Sequence, residues 1–382
     1  MIKPERLIRT FLEMARIPGL SKNEDRIAAE LVRRLQKLGV KYKFDKPFAG
    51  GKVGNLVAYL KGSVSAPPLM LNAHIDTVGP MEHWGFRRTG NWLLSKGKSI
   101  LGSDDRSGVA VILETLAHLQ ESQAPCPPLE IVFTVQEEIG LMGSKSLDYK
   151  LITARHGIVL DSDSPLQPVI AAPEAYKLVF RVLGKAAHAG VSPETGINAI
   201  AIAGKAIAGM KLGRIDFETT ANIGVISGGS ATNIVPGFAE ARGEARSHNN
   251  KKLQAQIKHM RNAFKSAVKE AGRAGAEFQG LPRLEEQIIF DYPRMRLPEK
   301  SVMVRLLKGA AKALGQELNP KVGGGGSDAN IFNAHGIETL ILGSGMHQVH
   351  TTSERLNLNE LFLAAEMLAK AIQLYPAFTR GR

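Results

Sequence analysis

The chain has 382 residues, more than one hydrophobic core usually supports, so two domains are expected. Its 44% hydrophobic and 22% charged residues are those of an ordinary globular protein. A formal charge of +13 raises nucleic-acid binding as a competing class, yet the basic residues are dispersed, adjoin only in pairs such as Lys251-Lys252, and lack an aromatic-interleaved stripe, so no specific nucleic-acid partner is expected.

The N-terminus scatters charges among its apolar positions and does not read as a secretory signal. No run approaches the ~20 apolar residues of a membrane span. The single cysteine, Cys126, rules out an intrachain disulfide and fits a reducing cytoplasm. Ser21 and Glu24 in "SKNE" form a capping-box pattern ahead of the helical period of "DRIAAELVRRLQKLG". Apolar runs at 69–73, 130–135 and 156–161 predict strands, with a helix in "SGVAVILETLAHL" between the first two and a further strand at 339–343. Strands alternating with helices predict a mixed, largely parallel α/β sheet flanked by helices, with ligands gathered at the strands' carboxyl ends. Residues 176–292 read β-α-β-β-α-β, a ferredoxin-like α+β module inserted between 1–175 and 293–382.

The polar residues at the strand ends carry the chemistry. His74 and Asp76 in "NAHIDT" stand two apart, so in an extended strand they share a face. After them come Asp104 and Asp105 in "LGSDDRSG", Glu137 and Glu138 in "TVQEEIG", Asp161 in "VLDSD" and His350 in "HQVHTTSE". Singly, each has a plain alternative: a solvated turn for His74 and Asp76, an acidic corner for Glu137 and Glu138, helix caps for Asp104 and Asp105. His347, three residues before His350, competes with it as a ligand. Together, two histidines and several carboxylates at parallel-strand ends are what a pair of hard-to-borderline cations requires. The stretch "GGGGSD" at 323–328 lacks the G-K-[ST] ending of a phosphate loop and suits close approach to a substrate instead.

In "HIDT", "LGSDDRSG", "FTVQEEIG", "VLDSD", "KAAHAGVSPETGINAI" and "EARSH" the chain resembles the co-catalytic dizinc metallopeptidases, the family that includes peptidase T, carboxypeptidase G and the aminoacylases. It departs from peptidase T in a shorter stretch between the first two acidic motifs. It departs again where Ser162 and Asp163, not glycines, follow Asp161. The resemblance implies two divalent cations, zinc first with manganese or cobalt as alternatives, bridged by Asp104. His74 and Asp161 would complete one coordination set, Glu138 and His350 the other. It further implies Glu137 as the catalytic acid/base, Asp76 as the group orienting His74, and a cis Asp104–Asp105 peptide bond. In the inserted module, which would act as lid and dimerisation domain, His188 would stabilise the developing oxyanion, while Asn233 and Arg246 would hold the substrate; Gly326, Ser327 and Asp328 would line its path. The expected substrate is a short peptide and the expected activity that of a cytoplasmic aminopeptidase, most like a tripeptidase, working as a homodimer. A carboxypeptidase or N-acyl amino acid deacylase is the alternative enzyme, and a basic binding protein on an inactive peptidase scaffold the alternative outside enzymes.

Overall fold

In the computed structural model, which describes residues 1–48, 50–274 and 280–379, the continuous apolar runs become strands buried on both faces. Leu69–His74 and Leu129–Thr134 are buried at every position, as strands covered on two sides by helices must be. The chain divides into two units, Met1–Ala172 with Met295–Arg382, and Pro173–Arg294.

The first unit holds a nine-stranded sheet in the order Lys41–Phe44, Leu56–Leu60, Leu129–Thr134, Leu69–His74, His156–Val159, Glu338–Ile341, Val169–Ala172, Met295–Arg296, with Lys321–Val322 beside Val169–Ala172. From Leu129–Thr134 to Glu338–Ile341 neighbouring strands run parallel. Beyond them, on either side, the sheet path turns antiparallel. The sheet is mixed and largely parallel, as expected, with its parallel strands at the centre, and their carboxyl edge carries His74, Glu137, Glu138 and Asp161.

Helix Ser103–Ser122 packs over this centre, with Pro4–Ala15 and Leu358–Thr379 against it. Gly108 lets it approach: a Cβ there would stand 2.5 Å from the carbonyl oxygen of Leu160, next to Asp161. Leu358–Thr379 is long and apolar enough to cross a membrane, but it buries Leu361, Ala364, Leu368 and Ile372 in the core and is a core helix. The capping box expected at Ser21 and Glu24 does not form, and helix Asp25–Lys37 begins without a side-chain cap. Ser21 Oγ instead donates to Asp76, and Glu24 accepts from the backbone N–H of Lys22 and Gln136. Both residues serve the strand ends rather than the helix.

A second, antiparallel sheet escapes sequence reading. It joins Phe86–Thr89, Trp92–Ser95, Arg355–Asn357 and Met346–His347, and it suspends the loop that carries His350. Strands of two to four residues drawn from distant parts of the chain carry no usable periodicity.

The second unit contains Glu174–Leu183, helix Ala199–Ala208, Thr219–Gly228, Phe238–Ser247, helix Asn250–Ala274 and Arg283–Tyr292, in the β-α-β-β-α-β order read from sequence. All its long strands pair antiparallel. The two helices cover one face around Phe180, Phe264, Leu253 and Ile202.

Candidate metal centre

His74 ends its strand with the ring held from behind. Nδ1 lies 3.1 Å from the Asp76 carbonyl oxygen and 3.3 Å from Asp76 Oδ1, while Nε2 faces Asp104 Oδ1 at 3.0 Å. The other oxygen of Asp104, Oδ2, meets His350 Nε2 at 3.1 Å, and His350 Nε2 is 3.0 Å from Glu138 Oε2. One carboxylate thus presents each of its oxygens to a different imidazole. Donor atoms of His74, Asp104 and Glu138 all lie within 4.8 Å of one another. Asp161 lines the same cavity, of about 430 Å³, with Glu137, Gly326 and Ser327.

Three devices hold these side chains. Asp76, fully buried, accepts hydrogen bonds from the backbone N–H of Glu137 at 3.0 Å and Glu138 at 3.2 Å, so one carboxylate ties the His74 ring to the two glutamates. Asp105 accepts from the N–H of His74 and of Gly108, fastening the strand end to the helix, while Asp104 turns to the imidazoles. The bond between them is cis. The third device was missed in the sequence: Glu354, 1% exposed, accepts from the N–H groups of Leu101, Gly102, Ser103 and Asp104 and from Ser103 Oγ. It thereby clamps the loop of His350 to the segment of Asp104. An acid four residues after a candidate ligand histidine was the available signal.

Backbone conformation is also spent here. Gln136, Gln348 and His350 adopt left-handed φ values of 53°, 52° and 62°, a conformation that costs a side-chain-bearing residue roughly 1 kcal/mol or more and persists where surroundings enforce it.

The electrostatics mark a site short of positive charge. Burial opposes ionised Asp104, but bonds to His350 and His74 outweigh it and hold the carboxyl below its usual range. Burial likewise opposes charge on His74, yet Asp104 and Asp76 raise it well above the usual imidazole value. His350, bonded to Asp104 and Glu138, is raised to about 10. Burial pushes Glu137 and Asp161 well above the carboxylate range, and neighbouring carboxylates add to it. Glu138 is raised too, and its Oε1 is buried without a hydrogen-bond partner among the described residues. Behind the site, Arg106 is fully buried with no hydrogen bond to its guanidinium among the described residues; burial lowers it to about 10, against the pull of Asp76 and Asp105. Carboxylates crowded round two imidazoles, one oxygen left unpartnered, fit divalent cations in the place of protons.

Other expectations meet the structure unevenly. His347 Nε2 is engaged by Glu360 at 2.6 Å, while His350 takes the position against Asp104. Asp328, expected beside Gly326 and Ser327 on the substrate path, turns inward: it is 1% exposed and accepts from the hydroxyls of Thr134 and Ser144, because it opens helix Asp328–Ala334 against the sheet. Ser327 caps that helix through its Oγ. In the second unit, Ala187–His188 pairs with Ile234–Val235 and Ala189 N–H donates to the Asn233 carbonyl, so His188 and Asn233 are neighbours there. Arg246 bonds Glu244 in the same unit. Cys126 is buried, its thiol pushed up to about 12 by burial, and has no reactive setting.

Residues 70–374 match the family model described as peptidase family M20/M25/M40. An uncharacterized protein, YqjE of Bacillus subtilis (strain 168), is 39% identical over 98% of this chain and 99% of its own length. Carboxypeptidase G2 of Pseudomonas sp. (strain RS-16) is 28% identical over 89% of this chain and 83% of its own. Among solved structures, a tripeptidase of Staphylococcus aureus superposes with a TM-score of 0.90 at 36% identity, over 99% of this chain and 100% of that one. The aminopeptidase PepT of Bacillus cereus gives 0.84 at 37% identity, over 98% and 99%. With the motifs at the strand ends, the shared architecture and a match over most of its length, the chain belongs to peptidase family M20/M25/M40.

Proposed function

We propose that the protein is a metal-dependent aminopeptidase of short peptides, most like a tripeptidase, and that it works in the cytoplasm. The observation that carries the reading is Asp104, with one oxygen on His74 and the other on His350, beside a cavity that also holds Glu137. Similarity to an aminopeptidase and a tripeptidase at 36–37% identity supports the end preference and the substrate length.

His74, Asp104 and Asp161 would hold one divalent cation and Asp104, Glu138 and His350 the other; the mixed nitrogen and oxygen donors suit zinc, with manganese or cobalt as alternatives. When bound, such a pair polarises a carbonyl and lowers the pKa of water. Glu137 takes the proton of the attacking water and returns it to the leaving amine, a role consistent with a carboxylate raised by burial and kept out of the imidazole contacts. Asp76 keeps His74 and the two glutamates in register through its bonds to all three. His188 would stabilise the oxyanion, Asn233 and Arg246 would bind the peptide's backbone or carboxylate, and Gly326 and Ser327 would line its path.

A carboxypeptidase or deacylase is the second reading, supported by carboxypeptidase G2 and by an acetylornithine deacetylase from Myxococcus xanthus at 28% identity. Hydrolysis of di-, tri- and tetrapeptides, free or blocked at either end, separates the two by mass spectrometry. Free tripeptides should lose their first residue, and chelation should abolish the reaction until zinc, manganese or cobalt is restored. Cleavage of N-blocked peptides alone would contradict the aminopeptidase reading.

The second unit would also join two copies. Among the described residues, its outer strand Thr219–Gly228 is paired on the free side only at Thr220 and Ala221, and it exposes Val225 (54%) and Ile226 (52%). Unpaired edges of this kind seek a partner strand. In the proposed homodimer His188 serves the partner's site. Co-expression of His188→Ala with Glu137→Ala chains should then recover about a quarter of wild-type activity, since half of randomly paired dimers are mixed and one site in each is rebuilt. No recovery in preparations shown to contain the mixed dimer would mean that His188 does not act in trans.

A further inference from the structure

The cavity beside Asp104 has a second charged feature that the ligand set leaves unused. On its wall Lys321 Nζ donates to Asp163 Oδ1, and Ser162 Oγ donates to the same oxygen at 3.1 Å. Once Asp104, Glu137, Glu138 and Asp161 have their roles, Asp163 is the one carboxylate left among the lining residues.

Its loop is braced. Ser344 N–H donates to the Ser162 carbonyl at 2.9 Å and Gly345 N–H to the Asp163 carbonyl at 2.7 Å. A Cβ at Gly343 would stand 2.3 Å from the carbonyl carbon of Ser164, so that chain segment lies directly against the loop. Lys321 is tied in its turn by its N–H to Pro168, at 2.9 Å. Both side chains nevertheless stay reachable, with 42% of Asp163 and 30% of Lys321 exposed.

Position and sign together select a ligand. Asp163 follows Asp161 by two residues, a span of at most about 7 Å in an extended chain. A peptide cleaved at its first bond carries its α-ammonium one carbon from the scissile carbonyl, so the anchor for that ammonium must stand close to the ligands of the cations. A carboxylate fixed by Lys321 and Ser162 can accept a second cation, while its own charge turns away a substrate carboxylate approaching Lys321. We propose that Asp163, braced by Lys321 and Ser162, binds the free α-ammonium of the substrate and closes the cavity to chains blocked or extended on the amino side of the residue to be removed. The assignment rests on the aminopeptidase reading above and locates its end preference in one residue.

Leucine hydroxamate and 4-methylpentanoyl hydroxamate share a chelating head and a side chain and differ only in the α-ammonium. Their inhibition constants against Leu-Gly-Gly hydrolysis by the metal-loaded enzyme test the assignment. The wild type should bind the amine-bearing compound about tenfold or more tighter, the usual worth of a charge-assisted hydrogen bond. In Asp163→Asn, and in Asp163→Ser as a second variant, that ratio should fall to about twofold or less while the des-amino constant holds. A ratio kept at the wild-type value in a variant with native metal content and circular dichroism overturns the assignment. So does equal weakening of both compounds, which would make Asp163 a wall and not a receptor. If the wild type itself lacks the preference and cleaves only N-blocked peptides, the aminopeptidase reading falls as well, an outcome distinct from a preference that survives loss of Asp163.

Discussion

Glu137→Gln should lower kcat by about 100-fold or more and leave bound metal at the wild-type level. Asp76 holds the backbone of both glutamates and both line the cavity, but Glu138 touches His350 and belongs with the imidazole contacts around Asp104, an ion pair that Glu137 does not share. Glutamine keeps the shape and loses the proton acceptor. Activity and metal content must therefore separate in this variant. His350→Ala supplies the contrast, since it removes a donor and should reduce bound metal outright. Loss of metal from Glu137→Gln would show that the two adjacent glutamates have exchanged roles.

Glu354→Ala should damage both stability and metal retention. Its carboxylate receives four backbone N–H groups and one hydroxyl from residues 101–104, all in a buried setting. A buried donor left without a partner costs about 1–3 kcal/mol, so the loss of this acceptor should remove several kcal/mol of stability. The same change frees the His350 loop from the Asp104 segment, and the two sides of the site then lose their common anchor. Thermal unfolding together with metal per chain measures both effects. Glu354→Gln, which keeps one acceptor oxygen but turns an amide toward the N–H groups, should fall between alanine and wild type. Full metal content at wild-type thermal stability in the alanine variant would remove Glu354 from this role.

The parts of the molecule legible in the sequence were those in which local pattern and global fold agree. Runs such as "LEIVFT" are mostly apolar because their strands are buried on both faces, with Glu130 taken up by hydrogen bonds from Thr153 and Ala154, and each ends abruptly where the polar residues of the site begin. The β-α-β-β-α-β unit was readable for the same reason, since strands Glu174–Leu183 and Arg283–Tyr292 largely alternate and the long helix Asn250–Ala274 buries one apolar face through Leu253, Ile257, Met260 and Phe264. What escaped was set by distance along the chain. Glu354 acts on a segment some 250 residues earlier, and nothing beside it records the five donors it meets. The short strands that hang the His350 loop are likewise paired with a hairpin near residue 90. Ser21 and Glu24 carry a capping-box spacing, but the strand-end carboxylate Asp76 and the Gln136 backbone take their side chains. Asp328 was misplaced because position beside a glycine-rich loop says nothing about which way a side chain turns when hydroxyls wait beneath it.

Anomalous diffraction at the zinc edge from crystals of the zinc-loaded protein tests the central claim most directly. Two peaks should flank the Asp104 carboxylate, one within bonding distance of His74 and Asp161, the other of Glu138 and His350, with Glu137 bonded to neither. A single peak, or two peaks that do not share Asp104, would contradict the account.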